Sequence, residues 1–318
     1  NLPTPTIADG SKYFDTKLYT GNGGTNAQTG LGFSPDFLWL KRRNGANAHA
    51  LFDEIRGVTK ALESSNTGAE KTNDPAIGSF DSNGFTLTGS TNQTNASGQT
   101  YVGWAWDAGT STVTNNDGSI ASQVRAQPSA GFSIVKYQAD APNNTIGHGL
   151  NAVPELVIIK STTRTDNWIV YHSAIGLTGW LHLNATHATT NASIWGTSGN
   201  WTSDTFGVST SAIEGNNYGS NDYIAYCFAS VSGYSSMGSF VGNGSSDGIF
   251  VSTNFRPSFI LIKASSISGE DWVILDTARA PSNVSSLLIK PNTSEQEFTN
   301  SAYNTDILSN GFKIRNSN

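Results

Sequence analysis

The sequence predicts an all-β protein made of tandem β-sandwich modules in three diverged copies. Three observations predict this class: one segment pattern occurs three times, short apolar runs alternate with turn-forming residues, and helical periodicity is nearly absent. Strands of five to seven residues separated by loops are typical of a two-sheet sandwich of the jelly-roll or concanavalin-like type. Copies of about 100 residues can each bury a core of their own.

The repeated segment is a proline followed by a polar residue, four apolar residues and a lysine, at 35–41, 154–160 and 257–263. Further features follow in register: a second apolar run at 49–53, 168–172 and 272–276, and a phenylalanine beside a glycine at 84–85, 206–207 and 311–312. The first two copies close on strands at 101–106 and 223–228. The third closing strand falls near residue 318, so we expect the last copy to be incomplete.

The elements of one copy follow from these patterns. The proline suits the first residue of a strand, where no ladder donor is needed. The unbroken apolar run at 156–159 predicts a strand buried on both faces, whereas 132–137 and 180–184 approximate the alternation of half-buried strands. Clusters of Gly, Asn, Asp and Ser between the runs predict turns. The best helix candidate, residues 53–62, contains Gly57, so we expect one short turn at most.

These boundaries divide the chain into five parts. We predict a polar N-terminal arm at 1–13, a flexible linker at 109–130, and β-sandwich repeats at 14–108, 131–229 and 230–318.

Composition limits the classes of function. Charged residues make up 13% of the chain and the net charge is −6. We therefore expect no basic surface that binds a phosphate backbone, and we predict no nucleic-acid partner. No run approaches the roughly 18 to 20 apolar residues of a membrane helix, so we predict no membrane insertion. The single cysteine, Cys227, excludes an intrachain disulfide. A surface carried by Asn, Ser, Thr and Gly is typical of extracellular and virion proteins.

The sequence offers no catalytic constellation. We find no calcium loop and no paired carboxylates along one strand face, and we therefore predict no catalytic residue, no metal site, no cofactor and no enzymatic activity. Two Asp-x-x-Arg pairs recur, at Asp53–Arg56 and Asp276–Arg279, and are interpreted as turn-stabilising ion pairs worth under about 1 kcal/mol. The repeated lysines at positions 41, 160 and 263 are interpreted as strand-end charges that face solvent.

Aromatic residues in polar loops give the one candidate binding site. Trp180, Trp195 and Trp201 lie in a stretch of the second copy rich in Asn, Thr and Gly. A flat aromatic ring on a polar loop stacks on the apolar face of a sugar, but it also fills a core. The three tryptophans are therefore candidate ligand-binding residues, with packing in the core as the alternative.

Five segments together carry a resemblance to a known family: 3–16 (PTPTIADGSKYFDT), 18–23 (LYTGNG), 32–41 (GFSPDFLWLK), 52–57 (FDEIRG) and 103–106 (GWAW). They resemble tail-fibre-type proteins of bacteriophages, marine phages in particular. The first and third copies carry the resemblance best. It implies a non-catalytic virion protein of the host-attachment apparatus with jelly-roll or concanavalin-like modules, often assembled as a trimer.

The expected function is therefore a structural or receptor-binding component of a phage tail or fibre that attaches to the host cell surface. Its expected partners are further copies of the chain in a homo-oligomer (a trimer), other virion proteins, and a host surface glycan or receptor. The alternative function is a secreted carbohydrate-binding or adhesin protein, for which the loop tryptophans are the motivation.

Overall fold

The structure, a computed structural model, describes residues 4–140, 143–209 and 217–317. Over these residues the backbone forms 24 β-strands, five short 3-10 turns and no α-helix, which confirms the predicted all-β class. The 3-10 turns are Gly10–Lys12, Pro128–Ala130, Ser173–Ile175, Ser198–Asn200 and Ser301–Tyr303. We refer to residues 14–108, 131–229 and 230–318 as the first, second and third modules.

The first module is a sandwich of two antiparallel sheets. Its strands are β1 (Phe14–Thr20), β2 (Asn26–Thr29), β3 (Phe37–Arg42), β4 (Ala50–Asp53), β5 (Ile77–Asp81), β6 (Gly84–Leu87) and β7 (Thr100–Trp106). One sheet has the order β1-β7-β3-β4 and the other β2-β6-β5. The helix candidate at 53–62 forms turns after the end of β4 and then isolated bridges at Ala61 and Leu62, and it contains no helix.

The linker and the second module contribute the next ten strands. They are β8 (Thr112–Asn115), β9 (Ser122–Gln127), β10 (Phe132–Gln138), β11 (Asn144–Gly147), β12 (Leu156–Ser161), β13 (Ile169–His172), β14 (Gly179–His182), β15 (Thr190–Asn191), β16 (Thr205–Val208) and β17 (Asp222–Phe228). They form an eight-stranded sheet, β15-β14-β13-β12-β17-β10-β9-β8, and a pair β11-β16. The order β10-β17-β12-β13 repeats β1-β7-β3-β4, and β12 pairs with β17 in the same register as β3 with β7.

Residues 109–130, predicted as a flexible linker, are ordered into β8 and β9, so this prediction is wrong. β9 pairs with β10 on one side and with β8 on the other. Val124 of β9 is 2% exposed and packs in the core of the second module, while Arg125 forms an ion pair with Asp36 of the first module at 2.6 Å. The segment therefore extends the second module's sheet and fastens it to the first.

The third module contributes seven short strands. They are β18 (Phe250–Ser252), β19 (Phe259–Ile262), β20 (Val273–Asp276), β21 (Leu287–Leu288), β22 (Phe298–Thr299), β23 (Thr305–Leu308) and β24 (Gly311–Ile314). The described residues form a three-stranded sheet, β18-β24-β23, and the pairs β19-β20 and β21-β22. The N-terminal arm lies against this module, because the Thr6 N–H donates to the Ser232 carbonyl at 3.1 Å.

The hydrophobic core has a central part shared by all three modules. Along β3, Leu38 and Leu40 point into the first module's own core, while Phe37 and Trp39 point into the shared cluster. Burial on both faces explains why the repeated apolar runs have no polar breaks. Other members of the shared cluster are Trp104, Trp106, Phe132, Ile158, Trp168, Tyr226, Trp272 and Ile274.

Candidate functional site

The modules are joined by equivalent ring nitrogens that bond to backbone carbonyls across their junctions. The residue just before β4, β13 and β20 is His49, Trp168 and Trp272 respectively, and each is buried. Each ring bonds to a module other than its own. His49 joins the first module to the third, Trp168 joins the second to the first, and Trp272 joins the third to the second. The bonds join His49 Nε2 to the Lys290 carbonyl at 3.0 Å, Trp168 Nε1 to the Glu63 carbonyl at 2.9 Å and Trp272 Nε1 to the His182 carbonyl at 2.8 Å.

The tautomer of His49 follows from its contacts. Its Nδ1 accepts a hydrogen bond from Trp39 Nε1 at 2.8 Å, so its Nε2 carries the proton that is donated to the Lys290 carbonyl. Burial lowers the pKa of His49 well below its usual value, which keeps the ring neutral. The imidazole therefore donates at the position where the other two modules use an indole.

The two Asp-x-x-Arg pairs lie at these junctions and are buried. Asp53 and Arg56 have side chains 0% and 1% exposed and lie 2.5 Å apart, and the Tyr226 hydroxyl of the second module donates to Asp53 at 2.8 Å. In the third module, Asp276 pairs with Arg279 and accepts from Trp104 of the first module. The pairs therefore hold neighbouring modules together as well as their own turns.

The prediction that the repeated lysines face solvent is wrong. Lys41 and Lys160 are 0% exposed, and Lys263 is partly buried. The Lys41 ammonium donates to the Asn47 carbonyl at 2.8 Å and to the Ser294 carbonyl of the third module at 3.3 Å. Burial lowers the pKa of Lys41 and of Lys160 to about 8. The lysines therefore donate to loop carbonyls in the interior. Lys41 and Lys263 each reach a carbonyl of another module, whereas Lys160 bonds to carbonyls of its own loop.

The three candidate ligand-binding tryptophans are core residues. Trp180, Trp195 and Trp201 are 2%, 0% and 9% exposed and pack in the second module's cluster. Trp195 Nε1 donates to the Gly179 carbonyl at 3.0 Å and Trp201 Nε1 to the Trp195 carbonyl at 2.9 Å. Because their faces are covered by protein, these rings have no surface for stacking on a sugar. The prediction of a ligand site at these residues is corrected in favour of packing.

A polar groove lies between the first and second modules, with a volume of about 240 Å³. Arg56, Lys60 and Glu70 line it from the first module and Lys136, Thr163 and Asp222 from the second. Glu70 is bonded to Lys60 at 2.9 Å and to Arg56 at 3.3 Å, whereas Lys136 has no ion pair within the described part of the chain. Ammonium, carboxylate and hydroxyl groups in one groove suit a ligand rich in hydroxyl groups.

The chain matches the family model of a domain of unknown function (DUF7483) over residues 9–318. The chain belongs to the DUF7483 family. No curated protein and no solved structure matches the chain. In this DUF7483 protein the family match includes all three modules and the two strands between the first and second.

The sequence analysis did not select Tyr218, an exposed aromatic residue beside the groove. Tyr218 is 52% exposed, and the guanidinium of Arg164 lies 4.2 Å from its ring centre. Its carbonyl accepts from Asn221, the neighbour of the groove residue Asp222. Tyr218 occurs in an Asn- and Gly-rich stretch, so the rule that selects aromatics on polar loops also selects it. Burial distinguishes it from the three tryptophans.

Other chemistry is limited in the described residues. No group of three or more His, Cys, Asp or Glu side chains is placed to hold a metal ion among residues 4–140, 143–209 and 217–317. Cys227 lies within β17 with a side chain that is 0% exposed, and burial raises the pKa of its thiol. None of the described helical segments has the length and apolar character needed to span a membrane.

Proposed function

We propose that this DUF7483 protein is a non-catalytic structural or receptor-binding component of a bacteriophage tail or fibre, located on the virion and mediating attachment to the host cell surface. The resemblance of five segments to tail-fibre-type proteins supports this role. So does a surface carried by uncharged polar residues, since only 13% of the residues are charged. Other virion proteins and a host glycan or receptor are the partners that the role requires.

The groove between the first and second modules is the observation that carries a receptor-binding role. A hydroxyl-rich glycan would accept hydrogen bonds from Lys136 and Thr163, donate one to the Asp222 carboxylate, and stack on the exposed ring of Tyr218. Contacts of this kind bind weakly at each site. Attachment then requires several copies, because linked weak sites act at a high effective concentration. We therefore propose a symmetric homo-oligomer, a trimer, and expect light scattering at micromolar concentration to give three times the mass of one chain.

The adsorption of the phage to its host tests this function. Purified protein should compete with virions for the cell surface, and mass spectrometry of washed virions should detect the chain. Lys136→Ala and Tyr218→Ala should reduce the competition about tenfold without lowering the melting temperature. Lys12→Ala, at an exposed lysine of the N-terminal arm, is the matched control and should compete normally. Absence of the chain from virions would overturn the attachment role.

A secreted carbohydrate-binding or adhesin protein is the second candidate, and the same groove and Tyr218 favour it. The two functions differ in where the protein occurs. Glycan binding that depends on Lys136 and Tyr218, together with absence from virions, would select the adhesin. Turnover of a polysaccharide that disappears when one carboxylate is replaced would contradict both.

A further inference from the structure

The groove between the first and second modules has a counterpart between the third module and the first. Glu70 donates its N–H to the carbonyl of Thr162, just after β12, and Glu297 donates to that of Arg43, just after β3, both at 2.9 Å. Thr162 and Arg43 are equivalent, because their own N–H groups donate to the first residues of the closing strands β17 and β7. An arginine therefore stands at one junction where a threonine stands at the other.

Arg43 fills the counterpart of the groove. Its Nε and one terminal nitrogen donate to the two carboxylate oxygens of Glu297, each at 2.9 Å. Thr162 is too short to span this space, and Glu70 is instead paired with Lys60 at 2.9 Å. The carboxylate thus remains paired, while the space that the arginine takes at the other junction is left as the groove of about 240 Å³.

A second difference brings a free cation into this space. Lys136 of β10 lies opposite Ile224, at the position where Leu18 of β1 lies opposite Val102. Leu18 packs against the shared apolar cluster, whereas Lys136 is half-buried, lines the groove and has no ion pair among the described residues. Partial burial of an ammonium without a carboxylate costs free energy, and a negatively charged ligand would offset this cost.

The charges of the groove select a ligand with one negative charge. Three cations (Arg56, Lys60 and Lys136) and two carboxylates (Glu70 and Asp222) line it, which leaves one net positive charge. Arg56 and Lys60 are both paired with Glu70, so Lys136 is the cation left for a ligand. One ammonium balances one negative charge, and the two carboxylates repel a second, which disfavours the dianion of a phosphate ester.

The size of the groove suits one sugar residue. Its volume of about 240 Å³ lies below the roughly 300 to 1,000 Å³ of pockets for drug-sized ligands. The carboxylate of a sugar acid is bonded directly to the ring carbon, whereas a sulfate ester is attached through a further oxygen and needs more room. A carboxylate is therefore the anionic group that the groove fits best.

We propose that the groove binds one uronic-acid residue of an acidic polysaccharide, with the sugar carboxylate on the Lys136 ammonium. The hydroxyl groups of the same ring donate to the Asp222 carboxylate. The inference rests on the proposed glycan-binding role of the groove and adds the class of sugar that the groove selects.

An array of immobilised uronate oligosaccharides tests the selection. Each is printed beside its carboxyl-reduced form, in which a hydroxymethyl group replaces the carboxylate, and beside a sulfated neutral oligosaccharide. We expect the chain to bind at least one uronate oligosaccharide about tenfold to a hundredfold more tightly than its reduced form, the range that a hydrogen bond to a charged group supplies. Equal binding of the reduced forms, or tighter binding of the sulfated glycans, would overturn the proposal.

Substitutions of Lys136 test whether it is the cation that binds the carboxylate. Lys136→Met removes the charge and keeps the length of the stem, so it should bind the uronate and its reduced form about equally, whereas Lys136→Arg should keep the preference. Lys17→Met is the matched control and should also keep it, because Lys17 is a half-buried lysine of β1 without an ion pair among the described residues. A preference that survives in Lys136→Met would contradict the assignment.

Thr162→Arg rebuilds the other junction and closes the groove. The new guanidinium should bond to Glu70 as Arg43 does to Glu297, so we expect uronate binding to be lost while the melting temperature stays unchanged. Unchanged uronate binding in a folded Thr162→Arg protein would place the site elsewhere and overturn the proposal. Lys136→Met adds no bulk, so it tests the same site independently of how well the arginine fits.

Failure of this inference is distinguishable from failure of the attachment role. Reduced glycans that bind as tightly as the uronates would leave a groove that binds glycans and remove only the selection for acid. Failure to bind any uronate on the array would also overturn the inference. The attachment role is tested separately, by detection of the chain in washed virions and by its competition for the host cell surface.

Discussion

Burial gives single residues roles that their sequence positions do not reveal. Asp276 and Arg279 have the spacing of a surface turn, but both side chains are 0% exposed. The sequence predicts the pairing correctly and underestimates its importance, because the residue that completes it, Trp104, comes from another module. Lys160 differs, because the sequence predicts a lysine that faces solvent, whereas its ammonium is buried and donates to the Ser161 and Arg164 carbonyls of its own loop.

Removing one partner of a buried pair should be costly. Asp276→Asn leaves Arg279 buried without its nearest carboxylate, and we expect the free energy of unfolding to fall by about 3 to 5 kcal/mol. Urea denaturation measures this change. Lys313→Gln breaks the pair of Lys313 with Asp247, which is 79% exposed, and serves as the control with an expected loss under about 1 kcal/mol. Equal losses in the two variants would restore the interpretation as a turn-stabilising surface pair.

The buried Lys160 should make stability depend on pH. Burial lowers its pKa from 10.5 to about 8, so between these values the unfolded chain binds more protons than the folded one. The free energy of unfolding therefore rises with pH in this window, by up to about 3 kcal/mol for this residue. Lys160→Met removes the contribution. The difference between wild type and variant, from urea denaturation at pH 7, 8.5 and 9.5, should rise with pH, and a constant difference would contradict the burial.

At the scale of elements, strands with strong apolar runs are predicted to within a residue or two. The closing run predicted at 101–106 is β7, Thr100–Trp106, and the one predicted at 223–228 is β17, Asp222–Phe228. The sequence analysis misses β8 and β9 for two reasons. Thr112–Asn115 is exposed or half-buried. Ser122–Gln127 has only a short alternation of small and polar residues. Composition favours a linker at such a stretch, whereas pairing with β10 makes it a strand.

Hydrogen exchange should distinguish a strand from a linker at 109–130. The amides of β9 lie between two hydrogen-bonded neighbours, so we expect them to exchange slowly, with those of the edge strand β8 exchanging faster. Mass spectrometry of peptic peptides gives this measurement. The exposed stretch at 241–246 provides the reference for fast exchange. Exchange of 122–127 at that reference rate would show that the segment behaves as a linker after all.

For the whole molecule, the repeat in the sequence does not reveal how the copies pack. The contacts between modules use different residue types at equivalent positions, such as His49 and Trp168, or Trp104 and Tyr226. One signal was available: an apolar run buried on both faces needs a second surface to cover it, and one sandwich supplies only one. The shared central cluster is that second surface, and it couples modules that could each hold a core of their own.

Cooperative unfolding of the whole chain should follow from this shared core. Trp168 is 0% exposed, packs in the central cluster and donates to Glu63 of the first module, so Trp168→Ala should cost about 3 to 5 kcal/mol. Trp195→Ala is the matched change in the second module's own core, where Trp195 is also 0% exposed. If the modules are coupled, calorimetry of either variant should show one transition at a lower temperature, with equal calorimetric and van't Hoff enthalpies. Independent modules would instead give separate transitions, and Trp195→Ala would lower only one of them.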